Sequence, residues 1–541
     1  MAALLGAAML GGCFLVYHPG DYVTGSGGAG GTPTTSGSTL TLSGTGGSAL
    51  EAGPDAEPDA GPPRSCESPS TDPPCVGKTL WTAWPCAKDT GATGRALAVA
   101  VQQVANQGVV VDVAGAFTGG LELAGVDGGP TGAVDAHAET GFFAQIDQGG
   151  SALLLMVPKG LGDLRSVAPY QETGLAALGR RVTDAGSDGL LEYVPQGSPP
   201  SPTQVQIGTA AQLLSYGAAV AVDDTTIYAA GVLGGPFNGN YYCGSAAGSM
   251  TLSANSLFAA AFLATPLLPH SCKPVSYASS VAGAAAGRAW PTALVLHDTE
   301  LLMLGTYQGM PPTFPGLTQD SGNLPYGFLG AITKATMAAK WGLTLTNTGG
   351  TAPLEVHAAA LAGHRLYVAG SFTGTLDIGG TAIVAPPDTK VDGFLACIDL
   401  AQLNPELLWL VDLGGSAPGN RRITGVAAVA AGATDVVYVA GTAAVPVSFP
   451  GLANPACQDG GMFLARLEAG AAGKAGAQTR WVQCYGPAGG DSDVVRVAAS
   501  DTATGTWLAL AGARTGTIDL GKGIEGSTLQ VPFAALLEDT P

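Results

Sequence analysis

Charge is scarce in this chain. Only 12% of its 541 residues are Asp, Glu, Lys or Arg, and 22 basic residues stand against 41 acidic ones, for a formal net charge of −19. That balance argues against a nucleic-acid partner, because binding to phosphate needs Lys and Arg to displace counterions. Aromatic residues are also scarce, at 6%. Ala and Gly must then do much of the filling, which suits closely approaching sheets. The apolar opening, MAALLGAAMLGGCFLVY, is too short to cross a bilayer as a helix. Neither HExxH, GxSxG, an EF-hand loop nor a complete Walker motif occurs, so the best-marked metalloprotease, serine-hydrolase, calcium and nucleotide chemistries lack their signatures. There is no CxxC, and the spacing of the nine cysteines does not suit zinc. The six histidines (His18, His137, His270, His297, His357 and His364) are scattered and read as surface or turn residues. Neither a metal nor a cofactor is expected.

Glycine is abundant instead, at 82 residues, about twice the usual share. Its placement is periodic. Gly115, Gly179, Gly231, Gly305, Gly370, Gly441 and Gly512 each close an apolar strand, at intervals of 52 to 74 residues. Before each lies a hairpin pattern of strand, polar turn and strand, as in VHAAALAGHRLYVAG. A third strand follows (GFFAQID, SLFAAAFLA, GFLGAIT, GFLACID, GMFLARLE, PFAALLED), and a fourth often carries Trp (AKWGLTL, LLWLVDL, TRWVQCYG). Four short strands repeated seven times predict an all-β, seven-bladed β-propeller with four-stranded blades. The last unit stops after its third strand. An orphan strand, KTLWTAWPC, precedes the first unit and carries the Trp of a fourth. Pairing the two closes the ring and covers two strand edges. The expected division is a lipoprotein signal over 1–13, a Gly/Ser/Pro-rich disordered linker over 14–77 and the propeller over 78–541.

The N-terminus carries an address. Leu10-Gly11-Gly12-Cys13 resembles a bacterial lipobox, which makes Cys13 the expected lipidation site, although no Lys or Arg precedes the apolar run. Phe14 rather than Asp follows, which by resemblance to other lipoproteins permits outer-membrane sorting. The tether that follows is flexible in TGSGGAGGTPTTSGS and extended in EAGPDAEPDAGPP. Its Gly25-to-Gly30 match to GxGxxG has no strand before it or helix after it, and is rejected as a nucleotide site.

Three stretches carry a family likeness: Val368-Ala369-Gly370-Ser371-Phe372, Leu376-Asp377-Ile378-Gly379-Gly380 and Gly393-Phe394-Leu395-Ala396-Cys397-Ile398-Asp399. The pattern resembles the secreted β-propeller repeat proteins frequent in large bacterial genomes, especially myxobacteria. The resemblance covers most of 78–541. It implies the propeller fold and supplies no catalytic residue.

Two cysteine pairs occupy equivalent places in different units: Cys243 with Cys272, and Cys457 with Cys484. In each, one cysteine precedes the third strand and its mate lies on or near the fourth. Two intra-blade disulfides are expected, each contributing about 3–4 kcal/mol if unstrained, in an oxidising compartment. One pair is expected among Cys66, Cys75 and Cys86. Cys397, mid-strand, reads as a buried free thiol.

Arg95, Arg165, Arg288, Arg422 and Arg496 stand at or near the start of first strands, with Arg180, Arg181 and Arg514 near the loop at the same end. They form one of two things. One is an anion-attracting mouth for a carboxylated or sulfated glycan or an acidic peptide. The other is a set of surface ion pairs with loop acids such as Asp89, Asp163 and Asp491. Recurrent Asp147 and Asp399 after third strands read as turn residues. The expected protein is a monomeric envelope or outer-membrane lipoprotein, held to the membrane only by its lipid. It displays a non-enzymatic propeller for an envelope protein or an anionic glycan or peptide. The alternative is a propeller enzyme acting on polysaccharide, which would need acids from different blades converging at the channel.

Overall fold

The computed structural model describes residues 78–83 and most of 93–539; the main stretches outside the described residues are 1–77, 84–92, 119–139, 195–202, 210–215, 276–287, 486–494 and 520–523. Seven antiparallel sheets follow one another along the chain. They are blade 1 (93–156), blade 2 (161–209), blade 3 (216–275), blade 4 (288–348), blade 5 (355–412), blade 6 (421–485) and blade 7 (495–539 with 78–83). Their first strands are Thr93–Val104, Leu161–Tyr170, Tyr216–Val222, Arg288–His297, Glu355–Ala362, Arg421–Ala431 and Val495–Thr502. Each touches the next, and the seventh touches the first, so these strands ring a central channel.

The repeated glycine has a specific task. It sits within the second strand, not at a turn. In six blades it faces a β-bulge in the first strand: Gly115 pairs with Ala96 and Ala114 with Ala98, leaving Leu97 as the extra residue. The same shift makes Arg165, Ala218, Thr292, His357 and Thr424 the extra residues of blades 2 to 6. A Cβ on the glycine would lie 1.9–2.2 Å from the carbonyl oxygen of Arg95, Asp163, Tyr216, Trp290, Glu355 or Arg422, which is impossible without backbone movement. On its other side the glycine pairs with a phenylalanine of the third strand: Phe142, Phe258, Phe328, Phe394, Phe463 or Phe533. For the first five of these, a ring edge would come within 2.5–2.9 Å of such a Cβ. The ring occupies the volume that the glycine leaves. Blade 2 has Leu190 opposite Gly179, which is why its repeat is the faintest in the sequence. Blade 7 has no bulge between its first two strands.

The core is a set of seven apolar layers among the described residues, one at each interface between consecutive blades. Alternate residues of one strand serve two layers. In blade 5, Leu366, Val368, Phe394 and Ala396 face blade 4, while Tyr367, Ala369, Leu395 and Cys397 face blade 6. Because both faces are dry, the inner strands read as unbroken apolar runs. Polar latches reinforce two interfaces: Tyr367 Oη donates to Asp435 Oδ2 at 2.6 Å, and Tyr438 Oη donates to Asp539 Oδ2 at 2.5 Å. The expected turn role is seen at Asp399, whose Oδ1 accepts from the Ala401 amide at 2.9 Å.

Closure takes the expected form. Lys78–Ala83 pairs antiparallel with the last strand, with Trp81 opposite Leu536 and Ala83 opposite Ala534. Blade 7 then packs on blade 1 through Trp507, Ala509 and Leu536 against Val111, Val113 and Ile146. Two hairpins extend the four-strand plan. Phe237–Cys243 with Ser245–Leu252 leaves blade 3 and pairs with the outer strand of blade 2. Thr375–Ile378 with Thr381–Val384 leaves blade 5 and pairs with the outer strand of blade 4. Both resulting sheets have six strands, and each hairpin covers an outer edge. The Leu376–Gly380 part of the repeat signature is therefore a strap to the preceding blade. Cys457 and Cys484 are bonded within blade 6. Cys243 is also disulfide-bonded; the side chain of Cys272, its expected mate, lies outside the described residues, as do Cys13, Cys66, Cys75 and Cys86. Cys397 is a buried free thiol.

Two predictions follow from this packing. Removing residues 78–83 leaves the edge of Ile524–Asp539 bare, so the melting temperature drops and amide exchange accelerates first in 495–539; unchanged melting would refute closure by this strand. Gly370→Ala costs about 3 kcal/mol or more in urea unfolding, on the scale of an overpacked core site. Gly363→Ala, at φ 58° with open space around it, costs only about 1 kcal/mol, the penalty of a left-handed turn.

Candidate functional site: the central channel

The first strands of all seven blades contribute to one channel cavity of about 170 Å³. Most of its wall is Ala, Val, Leu and Gly. Among the described residues its polar lining is Arg165, Ser166, Thr292, His357 and Arg496, with no carboxylate. The bulges explain the selection: Leu97, Arg165, Thr292 and His357 are the extra residues of their strands, turned inward where a regular strand would not place them. Arg496 stands at the corresponding point of the unbulged seventh blade.

Arg496 crosses the ring. Its Nε donates to the Leu97 carbonyl at 3.3 Å in blade 1. Its Nη1 donates to the carbonyls of His357 in blade 5, at 3.4 Å, and of Thr424 in blade 6. Among the described residues it has no carboxylate partner. Burial lowers its pKa to about 10, so it remains a cation at neutral pH. Carbonyl dipoles offset part of that charge, and no counter-ion removes it. His357 registers the consequence. Burial first, then the charges of Arg496 and Arg422, push its pKa down to about 3, so the ring is neutral. Its Nε2 lies 3.0 Å from Ser371 Oγ and 3.5 Å from Glu355 Oε2.

The five arginines singled out from the sequence occupy three different registers. Arg165 and Arg496 line the cavity. Arg95 and Arg422 precede the bulges of blades 1 and 6, half-buried and one step nearer the mouth. Arg288 begins the first strand of blade 4, and its side chain lies outside the described residues, as does that of Arg514. Some pair with acids. Arg165 donates to Asp163 Oδ2 through Nε at 3.0 Å and Nη2 at 2.9 Å, and lies 4.6 Å over the Tyr216 ring. Arg180 reaches the same Asp163 oxygen at 3.6 Å, and Arg181 reaches Asp188 at 3.3 Å. Asp89 and Asp491 lie outside the described residues.

Two further features had no signal in the sequence. The role of His357 depends on a bulge. His297 and His364, 67 residues apart, meet at the opposite ends of their strands, with His297 Nε2 3.2 Å from His364 Nδ1. No local motif could have paired them.

Carboxyls with raised pKa lie away from the channel wall. Burial lifts Asp112 to about 7 in blade 1, against hydrogen bonds from Gln145 and Gln102. Burial also lifts Glu192 to about 7 in blade 2. Asp392 rises to about 7 through burial and the charge of Asp412; it sits 3.8 Å from the buried Arg421, between blades 5 and 6. Each of these three holds a proton in the folded state at pH values where the unfolded chain has lost it. Each therefore stabilises at low pH, and that contribution disappears as pH rises through about 7. His357 has the opposite sign: its contribution is present above the unfolded pKa of 6.5 and is lost as pH falls toward 3. Asp112→Asn should flatten the decline in urea midpoint between about pH 4 and about pH 7, and His357→Gln should steepen it over the same range. Parallel profiles for variant and parent would contradict both assignments.

No family model matches this chain, and no curated protein sequence does either. Among solved structures, the polysaccharide lyase Uly1 is similar with 8% identity and a TM-score of 0.39, over 81% of this chain and 89% of its own. Extracellular domains 1–2 of Drosophila Semaphorin 1b match with 7% identity and a TM-score of 0.40, over 86% and 87%. A subtype N11 neuraminidase-like protein of a flat-faced bat isolate (H18N11) matches with 8% identity and a TM-score of 0.31, over 74% and 97%. Nothing of their chemistry is carried to this channel.

Proposed function

We propose that this protein is a non-enzymatic binding propeller of the bacterial cell envelope, tethered through a lipid on Cys13, whose channel mouth receives an anionic group. The observation that carries the binding reading is the guanidinium of Arg496. It is half-buried and cationic, and among the described residues it is paired only with carbonyls. A carboxylate or sulfate entering the channel would supply the missing counter-charge. Arg422, which also acts on His357, adds to the attraction at the mouth. The cavity holds one such group, so the ligand presents it on a chain, either an acidic glycan or an acidic peptide.

The enzyme reading needs a pair of carboxyls at the channel, one of them protonated. Among the described residues the raised carboxyls lie between or within blades, and the channel wall has none. The lipoprotein reading rests on Leu10-Gly11-Gly12-Cys13 and the tether after it, together with the resemblance to myxobacterial secreted propellers and a disulfide that suits an oxidising compartment.

One experiment addresses each half. The full chain is titrated with oligogalacturonate, a sulfated glycan and an acidic peptide, beside Arg422→Gln and Arg95→Gln variants. Binding should weaken with added salt and fall about tenfold per variant, the loss of one charge-assisted contact. Equal affinity in parent and variants, or no binding by any anion, refutes the mouth; which probe binds names the ligand class. In the cell, labelled fatty acid should enter the protein and be absent from Cys13→Ala. Equal labelling, or none in the parent, refutes the anchor.

A further inference from the structure

At the face of the ring opposite the arginine mouth, the turns joining the first and second strands of blades 4 and 5 lie side by side. One carries His297 and Asp298, and the other carries His364. We propose that these three residues form a binding site for a divalent transition metal of the zinc class, clasping blade 4 to blade 5.

The argument rests on ligand type and spacing. His297 Nε2 lies 3.2 Å from His364 Nδ1 and 3.7 Å from Asp298 Oδ2. The three donor atoms all lie within 4.8 Å of one another. Ligands at the usual metal distances of about 2.0–2.2 Å in a tetrahedron stand about 3.3–3.6 Å apart. The two separations from His297 Nε2 fall on either side of that edge. As a hydrogen-bonded cluster the same geometry is poor: the Asp298 oxygen at 3.7 Å is beyond bonding range, and two neutral imidazoles can share only one proton between them. The rings meet edge to face, at 88° with centroids 5.5 Å apart, so their nitrogens converge while the rings do not stack.

Burial and backbone add independent support. His297 is only 7% exposed, and its Nδ1 has no partner. Coordination at Nε2 would place the proton on Nδ1, which has no acceptor among the described residues, so packing rather than an outer-shell bond orients this ring. His364 and Asp298 are exposed, which gives a metal its entry path. Asp298 holds a left-handed φ of 43°, a conformation uncommon for a non-glycine residue; the equivalent turn of blade 5 uses Gly363, at φ 58°. Two imidazoles and one carboxylate are a borderline donor set, suited to zinc, cobalt, nickel or copper rather than calcium or magnesium. Three protein ligands leave a fourth position for water. The site is independent of the anion-binding reading, since it shares no residue with the channel.

The test uses the full chain without a polyhistidine tag, stripped of metal by a chelator. Zinc binding is measured by equilibrium dialysis and melting, with cobalt absorption as a spectroscopic report of tetrahedral nitrogen–oxygen ligation. The parent should bind one zinc ion and melt at a higher temperature with it. His364→Gln and Asp298→Asn lie on different blades, both at exposed positions, and Asn tolerates the left-handed turn. Each should lower zinc affinity by at least about tenfold, the scale already reached by losing an outer-shell partner, and abolish the melting shift while melting like the parent when metal-free. The proposal is overturned if the parent binds no zinc, or if both variants retain its affinity and its melting shift.

Discussion

The fold depends on the close approach between a glycine in the second strand and the backbone of the first, seen in blades 1 to 6. A carbonyl oxygen occupies the place of the missing Cβ in six blades, and in most of these the edge of a phenylalanine closes the remaining gap. This arrangement lets the first strand bulge without opening a void. In blades 1, 2, 4 and 5 the bulge in turn pushes its extra residue, Leu97, Arg165, Thr292 or His357, toward the axis. A single packing constraint, repeated, thus sets both the ring and the lining of its channel. It also accounts for the low aromatic content: most blades need one well-placed phenylalanine in the third strand, and Ala fills much of the seven flat layers between sheets.

The channel inherits its charge from where the bulges fall. Arg165 is tied to Asp163, and its charge is largely answered. Arg496 instead reaches three other blades through their carbonyls, so it is a strut across the axis and, among the described residues, a cation without a carboxylate beside it. The neutral state of His357 reflects the same field. On a chain with net charge −19, the guanidinium groups of Arg165 and Arg496 in the channel wall are a local departure in sign. That departure is the basis of the anion reading.

The two faces of the ring differ in chemistry. One presents guanidinium groups and the other presents paired hairpin turns bearing imidazoles and a carboxylate. A propeller can host both because its loops are built independently of its layered core. The straps from blades 3 and 5 to their predecessors, the Tyr–Asp latches and the closing strand all tie neighbours together, so each blade is held by more than the apolar layer it shares.

The sequence by itself determined the number of blades, the order of their strands and the way the ring closes. Those features follow from local periodicity: a glycine that only a close backbone approach requires, apolar runs that only doubly buried strands allow, and an orphan strand with a Trp. The Cys457–Cys484 bond was legible because two units placed cysteines alike. Tertiary structure alone decided what meets at the axis and at the turns. Arg165 and Arg496 line the channel while Arg95 and Arg422 precede it, because the first two directly follow the residue paired with the blade glycine and the other two directly precede it, a difference of register that leaves no mark in composition. Blade 7 lacks the first-strand bulge, although its glycine is in place. His297 meets His364 across 67 residues, and Arg496 meets Leu97 across 399. Such contacts join separate repeats through the curvature of the whole ring, and no local pattern encodes which side chain of one blade will face which of another.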